Sequence, residues 1–290
     1  MNSSIQAART LWSICFPDDD ADFLDFYFSK VARAEDTYLE YNQDGLAVAH
    51  IGIIRSEYFP RIKQPKRIKL AYISGACVHP DYRGQGLMHK LMQSVEEEER
   101  KRGTDALILI PANEKLRAYY GENFGFADAG FRYQIPASEL ENLQLEMLWM
   151  SADKDYELLC EYGGVYPTPS YSSEHAELIV QEYRRIGSCQ VLTEQRGEAF
   201  DAILLAREEA EQWVIDRLTG YEDATARLVR QLRKLKDKPI IISNLVRANL
   251  REEALLCSRL KREPWGMYKC LNTEIKPEYM QELLVCHFFE

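Results

Sequence analysis

The sequence predicts an α/β fold built from two similar halves. In the first half, strand-like and helix-like segments alternate between residues 37 and 134, an order typical of a mixed sheet with a parallel crossover and helices on both faces. The second half repeats this order, with matching elements roughly 135 to 140 residues later, as expected of a diverged duplication. The length of 290 residues also exceeds that of most single domains.

Apolar periodicity defines the predicted elements of the first half. The helices cover residues 4–13, 21–34, 86–102 and 113–122. The strands cover residues 37–41, 46–54, 69–78, 106–110 and a closing segment over 129–134. The sequence Asn42-Gln43-Asp44-Gly45 joins the first two strands in a predicted hairpin.

The second half is predicted from the same kind of pattern, ending with a strand over 267–271. Its helices cover residues 152–161, 173–185, 222–236 and 250–261. Its other strands cover residues 190–195, 200–206, 212–218 and 239–243. A linker near residues 136–142 divides the chain into domains at 1–137 and 138–290, the second of which ends in a short helix and tail over 277–290.

Composition excludes several classes of function. Hydrophobic residues at 46% and charged residues at 28% are ordinary for a globular protein. A net charge of −10 argues against nucleic acid as a partner and favours a cationic one. No segment has the length and apolarity of a membrane span, and the first residues lack the order of a secretory signal, so we expect a cytoplasmic protein without a membrane partner.

Neither cysteine nor histidine indicates a metal site. The seven cysteines lack CxxC spacing, and an odd, dispersed set is typical of reduced thiols. The five histidines form no HExxH or finger motif. We therefore expect no bound metal.

The segment from Cys77 to Met88 carries the strongest functional signal. A buried strand runs into a turn at Pro80, then a glycine pair, then a long helix. The first turn of a helix leaves backbone N–H groups unpaired at the positive end of the helix dipole. Gly84 and Gly86 permit positive φ and lack the Cβ atoms that would hold a phosphate away. This pattern predicts an anion site that suits a pyrophosphate.

A Gly-x-Gly pair before a helix is by itself often only a turn. Here it follows a strand and precedes a second signal, Leu109-Ile110-Pro111-Ala112-Asn113. Other nucleotide motifs do not fit, because neither GxxxxGK[ST] nor GxGxxG is present.

Two segments resemble the GCN5-related N-acetyltransferase (GNAT) family. The run from His79 to Gly86 resembles the coenzyme A loop of that family, with Asp81 where Gln or Arg is usual. The run from Leu109 through Tyr119 and Tyr120 to Phe126 resembles its second motif. The two-domain layout is similar to the enhanced-intracellular-survival branch, in which a degenerate acetyltransferase domain follows the active one.

This resemblance implies acetyl-CoA as co-substrate and a set of residues that bind it. Backbone groups of Ala76 and Val78 would pair with the thioester carbonyl and the pantetheine arm, and the N–H group of Ala76 would be an oxyanion donor. Asn113 would contact the pantetheine. The pyrophosphate would be held by the backbone N–H groups of Arg83, Gly84, Gln85, Gly86, Leu87 and Met88.

The resemblance also implies that Tyr120 protonates the departing thiolate. Tyr119 is the alternative acid, and Asn113 could equally be an N-cap of its helix. Cys77 is disfavoured as an acyl carrier, since buried cysteines are mostly inert.

The general base is not evident from the sequence. Tyr72 stands where several relatives carry a glutamate. Glu57 and the terminal Glu290 are candidates, and a water relay is the default expectation.

The second half lacks the glycine pair. The run Leu218-Thr219-Gly220-Tyr221-Glu222 keeps one glycine, and Glu222 and Asp223 would oppose a phosphate. We predict that this half does not bind coenzyme A and instead walls the acceptor cleft.

The predicted function is transfer of an acetyl group from acetyl-CoA to a primary amine of a small-molecule or peptidyl acceptor. The reaction would be direct attack in a ternary complex. The alternative is a non-catalytic acyl-CoA-binding sensor or interaction module. A purely structural scaffold is disfavoured, because Gly84 and Gly86 would then serve no ligand.

Overall fold

The computed structural model describes residues 3–60, 67–139, 152–160, 169–245 and 258–281, with Leu283 and Val285. Most of the helix predicted over 250–261 and the tail that carries Glu290 lie outside these residues. Among the described helices, none has the length and apolarity needed to cross a membrane.

The secondary structure follows the predicted order, with two strands at 127–128 and 261–264 that were not predicted. Of the described residues in the helix predicted over 152–161, only 157–160 are helical. The helices are α1 (Ser3–Cys15), α2 (Ala21–Phe26), α3 (Leu87–Lys101), α4 (Glu114–Phe124), α5 (Ser173–Arg185), α6 (Glu222–Leu235) and α7 (Pro277–Met280). The strands are β1 (Thr37–Tyr41), β2 (Ala47–Tyr58), β3 (Ile68–Val78), β4 (Ala106–Leu109), β5 (Ala127–Asp128), β6 (Phe131–Pro136), β7 (Cys189–Arg196), β8 (Ala199–Glu208), β9 (Trp213–Gly220), β10 (Ile240–Leu245), β11 (Lys261–Pro264) and β12 (Met267–Cys270).

The helix predicted over 21–34 is shorter than expected. Its α-helical part ends at Phe26 and continues as a π-helical turn over Tyr27–Val31. Ala32 then adopts an extended backbone with ψ of 134°, which ends the helix.

The chain forms two compact units, each with its own six-stranded sheet. The first unit comprises residues 1–56, 68–127 and 267–276, and the second comprises 57–67, 128–266 and 277–290. The strand order is β1-β2-β3-β4-β12-β5 in the first unit and β11-β6-β10-β9-β8-β7 in the second. Both sheets mix parallel and antiparallel pairs, so the predicted α/β class is confirmed.

The first unit has the predicted parallel crossover, because α3 connects β3 to β4 and these two strands run parallel. Helices cover both faces of its sheet. Leu91, Met92 and Val95 of α3 pack with Ala71 and Ile73 of β3 on one face. On the other face, Leu11 of α1 packs with Ala47 and Cys77.

The predicted hairpin between β1 and β2 is confirmed. The side-chain oxygen of Asn42 accepts hydrogen bonds from the backbone N–H groups of Asp44 and Leu46. Gly45 completes the turn with a φ of +79°, a region that glycine enters without steric cost.

Two strands belong to different sheets from those that the sequence suggested. The closing strand expected over 129–134 is β6, which pairs with β10 and β11 in the second unit. The last strand of the chain, β12, pairs with β4 in the first unit. Met267 and Leu271 accordingly fill part of the first unit's core. The predicted ranges of 1–137 and 138–290 did not include this exchange, since an apolar pattern reveals a strand but not its partner.

The second unit repeats the crossover. The helix α6 connects the parallel strands β9 and β10, and Leu228 and Leu232 of α6 pack against Ile215 and Ile242 in its core. Each unit therefore contains the predicted crossover, in which a helix connects two parallel strands.

An irregularity in β3 shapes the first unit. Gly75 has a φ of +57°, and a Cβ atom there would lie 1.9 Å from the ring of Trp12. Its carbonyl accepts a hydrogen bond from Nδ1 of the buried His50, at 2.9 Å. A glycine inside a strand is typical of a local bulge or of close packing, and here it admits the Trp12 ring against the strand.

An ion network around one buried carboxylate lies at the far end of α3. The carboxylate of Glu99 is fully buried and accepts hydrogen bonds from Arg55, Thr104 and Tyr38. Arg55 also pairs with Asp36 at 2.6 Å. Burial acts to raise the pKa of Glu99, but the hydrogen bonds from Arg55 and Thr104 outweigh it and hold that pKa below its usual value.

We expect the Glu99→Gln variant to lower the free energy of unfolding by about 1.5–3 kcal/mol, because the buried side chain would lose the charge that strengthens its hydrogen bonds with Arg55 and Thr104. Arg55 is partly exposed and keeps its ion pair with Asp36. Urea denaturation measures this. Glu97→Gln, at an exposed position of the same helix, is the matched control and should stay within about 0.5 kcal/mol of the parent protein. Equal effects of the two variants would contradict a stabilising role for the network.

Stability should also depend on the protonation of His50. Burial lowers the pKa of His50 from 6.5 to about 4, so the unfolded chain takes up this proton first as pH falls. The contribution of neutral His50 to the free energy of unfolding is complete above pH 6.5. It falls by roughly 3 kcal/mol in total as the pH falls toward about 4. His50→Asn keeps a donor for Gly75 without titrating. The pH dependence of unfolding should therefore be shallower in this variant, and parallel curves would rule the assignment out.

Candidate active site

A cavity of about 600 Å³ opens in the first unit where β3 meets α3. The residues that line it are Cys15, Phe16, Ala76, Cys77, Val78, Tyr82, Arg83, Gly84, Gly86, Leu87, Met88, His89, Leu116, Tyr119 and Tyr120. Most of the residues predicted for the site are among them, and only Gln85 and Asn113 of that set lie outside the lining.

The cavity exists because two parallel strands differ in length. Pairing of β3 with β4 runs from Leu70 opposite Ala106 to Tyr72 opposite Ile108. Beyond this point β4 ends at Leu109, whereas β3 continues to Val78. Among the described residues, no strand continues beside Ala76 and Val78 on the side of β4, and the cavity lies there.

The glycine loop has the geometry of an anion site. Gly84 and Gly86 have φ values of +77° and +75°, and a Cβ atom at either would meet no atom of the described residues within 4 Å. Gly86 is the N-cap of α3, and no side chain of the described residues caps the helix there. Within the described part of the chain, the N–H groups of Gly84, Gln85 and Gly86 donate to no backbone acceptor. These amides lie at the positive end of the α3 dipole, where a bound anion is stabilised.

Polar contacts hold the loop in place. Tyr82 accepts a hydrogen bond from the Asn42 side chain at 2.9 Å, which ties the loop to the β1–β2 hairpin. The Arg83 guanidinium donates to the Val78 carbonyl at 3.2 Å, so this cation stays beside the cavity. The backbone N–H of Arg83 already donates to Pro80, at 3.4 Å.

Both tyrosines considered as the acid line the cavity. Tyr120 is buried and contacts Phe124 and Phe126 through its ring. Tyr119 is partly exposed and lies edge-on to Tyr120, with ring centroids 5.7 Å apart. Partial burial raises the pKa of Tyr119, which keeps its phenol protonated at neutral pH.

Asn113 caps α4. Its side-chain oxygen accepts a hydrogen bond from the backbone N–H of Leu116 at 2.9 Å, which is the N-cap role considered from the sequence. Contact of Asn113 or Gln85 with a ligand stays a prediction.

Several lining residues were not expected from the sequence. Cys15 and Phe16 reach the cavity from the end of α1, far from the motifs in sequence, and carry no local signal. His89 lies one turn into α3, its ring 4.7 Å from that of Phe124. Its position three residues after Gly86 could have placed it near the loop.

The described residues leave the general base unassigned. Glu57 lies in the second unit and forms an ion pair with Arg67 at 2.9 Å. Tyr72 is fully buried. Glu290 lies outside the described residues.

The matching region of the second unit is built differently. A Cβ atom at Gly220 would lie 2.2 Å from the Asp201 carbonyl oxygen, so this glycine permits close strand packing. The N–H group of Tyr221, the residue before α6, already donates to that carbonyl at 3.0 Å. This arrangement accounts for the glycine without a ligand.

Comparison with known proteins agrees with this geometry. The sequence model of the acetyltransferase (GNAT) domain family matches residues 2–128. No curated protein matches the sequence.

Solved structures with the same fold align along nearly the whole chain. A GCN5-related N-acetyltransferase from Anabaena variabilis aligns with a TM-score of 0.67 at 14% identity, over 94% of this chain and 71% of that one. A probable N-acyltransferase from Enterococcus faecalis aligns with a TM-score of 0.66 at 11% identity, over 92% of this chain and 70% of that one. Eis1 from Mycobacterium abscessus aligns with a TM-score of 0.63 at 13% identity, over 94% of this chain and 73% of that one.

These likenesses show a fold of tandem acetyltransferase-like units. GNAT domains in general bind acetyl-CoA, and their fold supports acyl transfer from it. Residues 2–128 of this chain are therefore a GNAT acetyltransferase domain, and the two-unit fold of the chain is one that it shares with Eis1 from Mycobacterium abscessus.

Proposed function

We propose that this protein transfers the acetyl group of acetyl-CoA to a primary amine, with the acyl donor in the cavity of the first unit. The observation that carries the proposal is the uncapped glycine loop at the start of α3, beside a strand edge left open by β4. Acetyl-CoA supplies an activated thioester, and the residues of the chain bind, orient and exchange protons with it.

The diphosphate fits the loop by charge and shape. Gly84 and Gly86 leave open space where side chains would otherwise stand. Backbone N–H groups from Gly84 to Met88 are available to donate, and each hydrogen bond to a charged acceptor contributes about 1.5–3 kcal/mol. Arg83 adds a positive charge at the same wall.

The pantetheine arm and thioester would lie along the exposed end of β3. Val78 would pair with the amide groups of the arm, and the N–H group of Ala76 would stabilise negative charge on the thioester oxygen. Because an amine can attack the carbonyl directly, no covalent bond to the protein is needed. Tyr120 would protonate the departing thiolate.

An assay of thiol release across polyamines, aminoglycosides, amino acids and peptide amines tests the proposal. We expect saturable binding of acetyl-CoA and release that depends on one class of amine. Binding without release for any amine would instead support an acyl-CoA sensor. Absence of binding at millimolar acetyl-CoA would overturn both.

Replacing both loop glycines should abolish cofactor binding. We expect Gly84→Val with Gly86→Val to weaken acetyl-CoA binding by about 100-fold or more, since side chains at positive φ force the loop to change and displace its amides. Calorimetry measures the affinity.

The matched control is Gly103→Val with Gly197→Val. These glycines also have positive φ and open surroundings, but they lie outside the cavity lining. The control should carry a similar loss of stability and keep its affinity. An unchanged affinity in the loop variant would remove the basis of the cofactor assignment.

The Tyr120→Phe variant should reduce kcat by about 100-fold or more, the usual contribution of a general acid, while acetyl-CoA affinity is retained. The phenylalanine ring keeps the packing against Phe124 and Phe126, so the fold should persist. Tyr119→Phe is the matched control, because it removes the same hydroxyl group from the neighbouring tyrosine. If only Tyr119→Phe lowers kcat, Tyr119 is the acid and the assignment of Tyr120 is wrong.

A further inference from the structure

Two cysteines from distant parts of the chain meet in the cavity wall. Cys15 is the last residue of α1, and Cys77 is the next-to-last residue of β3. Both line the cavity and pack in the same apolar cluster with Leu11. Both are free thiols, Cys77 buried and Cys15 partly exposed.

The surroundings of the two thiols are unequal. A hydrogen bond with the Cys77 thiol lowers the pKa of Cys15, and the Arg83 guanidinium adds to this against the opposite effect of burial. The same hydrogen bond, together with deep burial, raises the pKa of Cys77. Cys15 is therefore the nucleophile of the pair, and Cys77 holds its proton.

We propose that Cys15 and Cys77 form a redox pair that closes to a disulfide when the protein meets a peroxide. The Cys15 thiolate attacks hydrogen peroxide, forming an S–O bond as the O–O bond breaks and, with one proton, the first water leaves. The sulfur of Cys77 then attacks the Cys15 sulfur, the S–O bond breaks, and the second water leaves with the Cys77 proton. The two thiols lose two electrons, and the peroxide gains them.

The disulfide would alter the cavity. The two sulfur atoms must approach to about 2.0 Å. Cys77 is held in a strand, so the movement falls on the end of α1, where Phe16 also lines the cavity. Cys15 could then no longer carry a thiolate charge beside Arg83. We expect this change to weaken coenzyme A binding, an expectation that rests on the proposed function.

Mass spectrometry tests the disulfide itself. Treatment of the reduced full-length protein with hydrogen peroxide should lower its mass by about 2 Da, and a digest should contain a peptide joining Cys15 to Cys77. Cys15→Ser and Cys77→Ser should each lose this product. Cys189→Ser, in the second unit, should retain it. Oxidation of Cys15 to a sulfinic acid with Cys77 unmodified would overturn the proposal.

Calorimetry with coenzyme A tests the consequence. The disulfide form should bind about tenfold more weakly, as expected for loss of one polar contact, and dithiothreitol should restore the affinity. Equal affinities of the two forms would refute the effect on binding. If the reduced protein binds no coenzyme A, the proposed function fails, and the mass measurement alone decides the redox pair.

Discussion

The N-cap of α3 is Gly86, which no side chain of the described residues caps, and the candidate site of the first unit depends on the backbone amides at this helix start. Unpaired amides are costly when buried, so they persist only where solvent or an anion can reach them. The loop keeps them accessible, because Gly84 and Gly86 both adopt positive φ without side chains. The Asn42–Tyr82 contact holds the loop, and the buried carboxylate of Glu99 fixes the opposite end of the helix.

The sheet supplies the second requirement, which is room for a long ligand beside these amides. Because β4 ends at Leu109, the last residues of β3 have no parallel neighbour among the described strands. Gly75 lies just before this stretch, and the Trp12 ring packs closely against it. The carbonyl of Gly75 is held by His50 from the adjacent strand. Packing on one face therefore positions the backbone of Ala76 and Val78, and no described strand pairs with it on the side of β4.

The sequence predicted what depends on local signals. The glycine loop, the Asn42–Gly45 hairpin and the parallel crossover each follow from residues close in the chain. Cys15, Phe16 and Trp12 reach the site region from α1, and no local pattern connects them with β3. For a related reason, the sequence did not predict that β6 lies in the second sheet and β12 in the first. Alternating apolar residues define the faces of a strand, whereas its partners depend on contacts across the whole chain.

The position of β12 has a consequence for how the protein is made. This strand lies between β4 and β5 inside the first sheet, and it is synthesised after nearly all of the second unit. Until then the growing chain exposes unpaired edges of β4 and β5 and lacks the core side chains of Met267 and Leu271. All strands of the second unit's sheet are therefore synthesised before the last strand of the first unit's sheet. Any truncated product ending before residue 267 would be released without a finished first sheet.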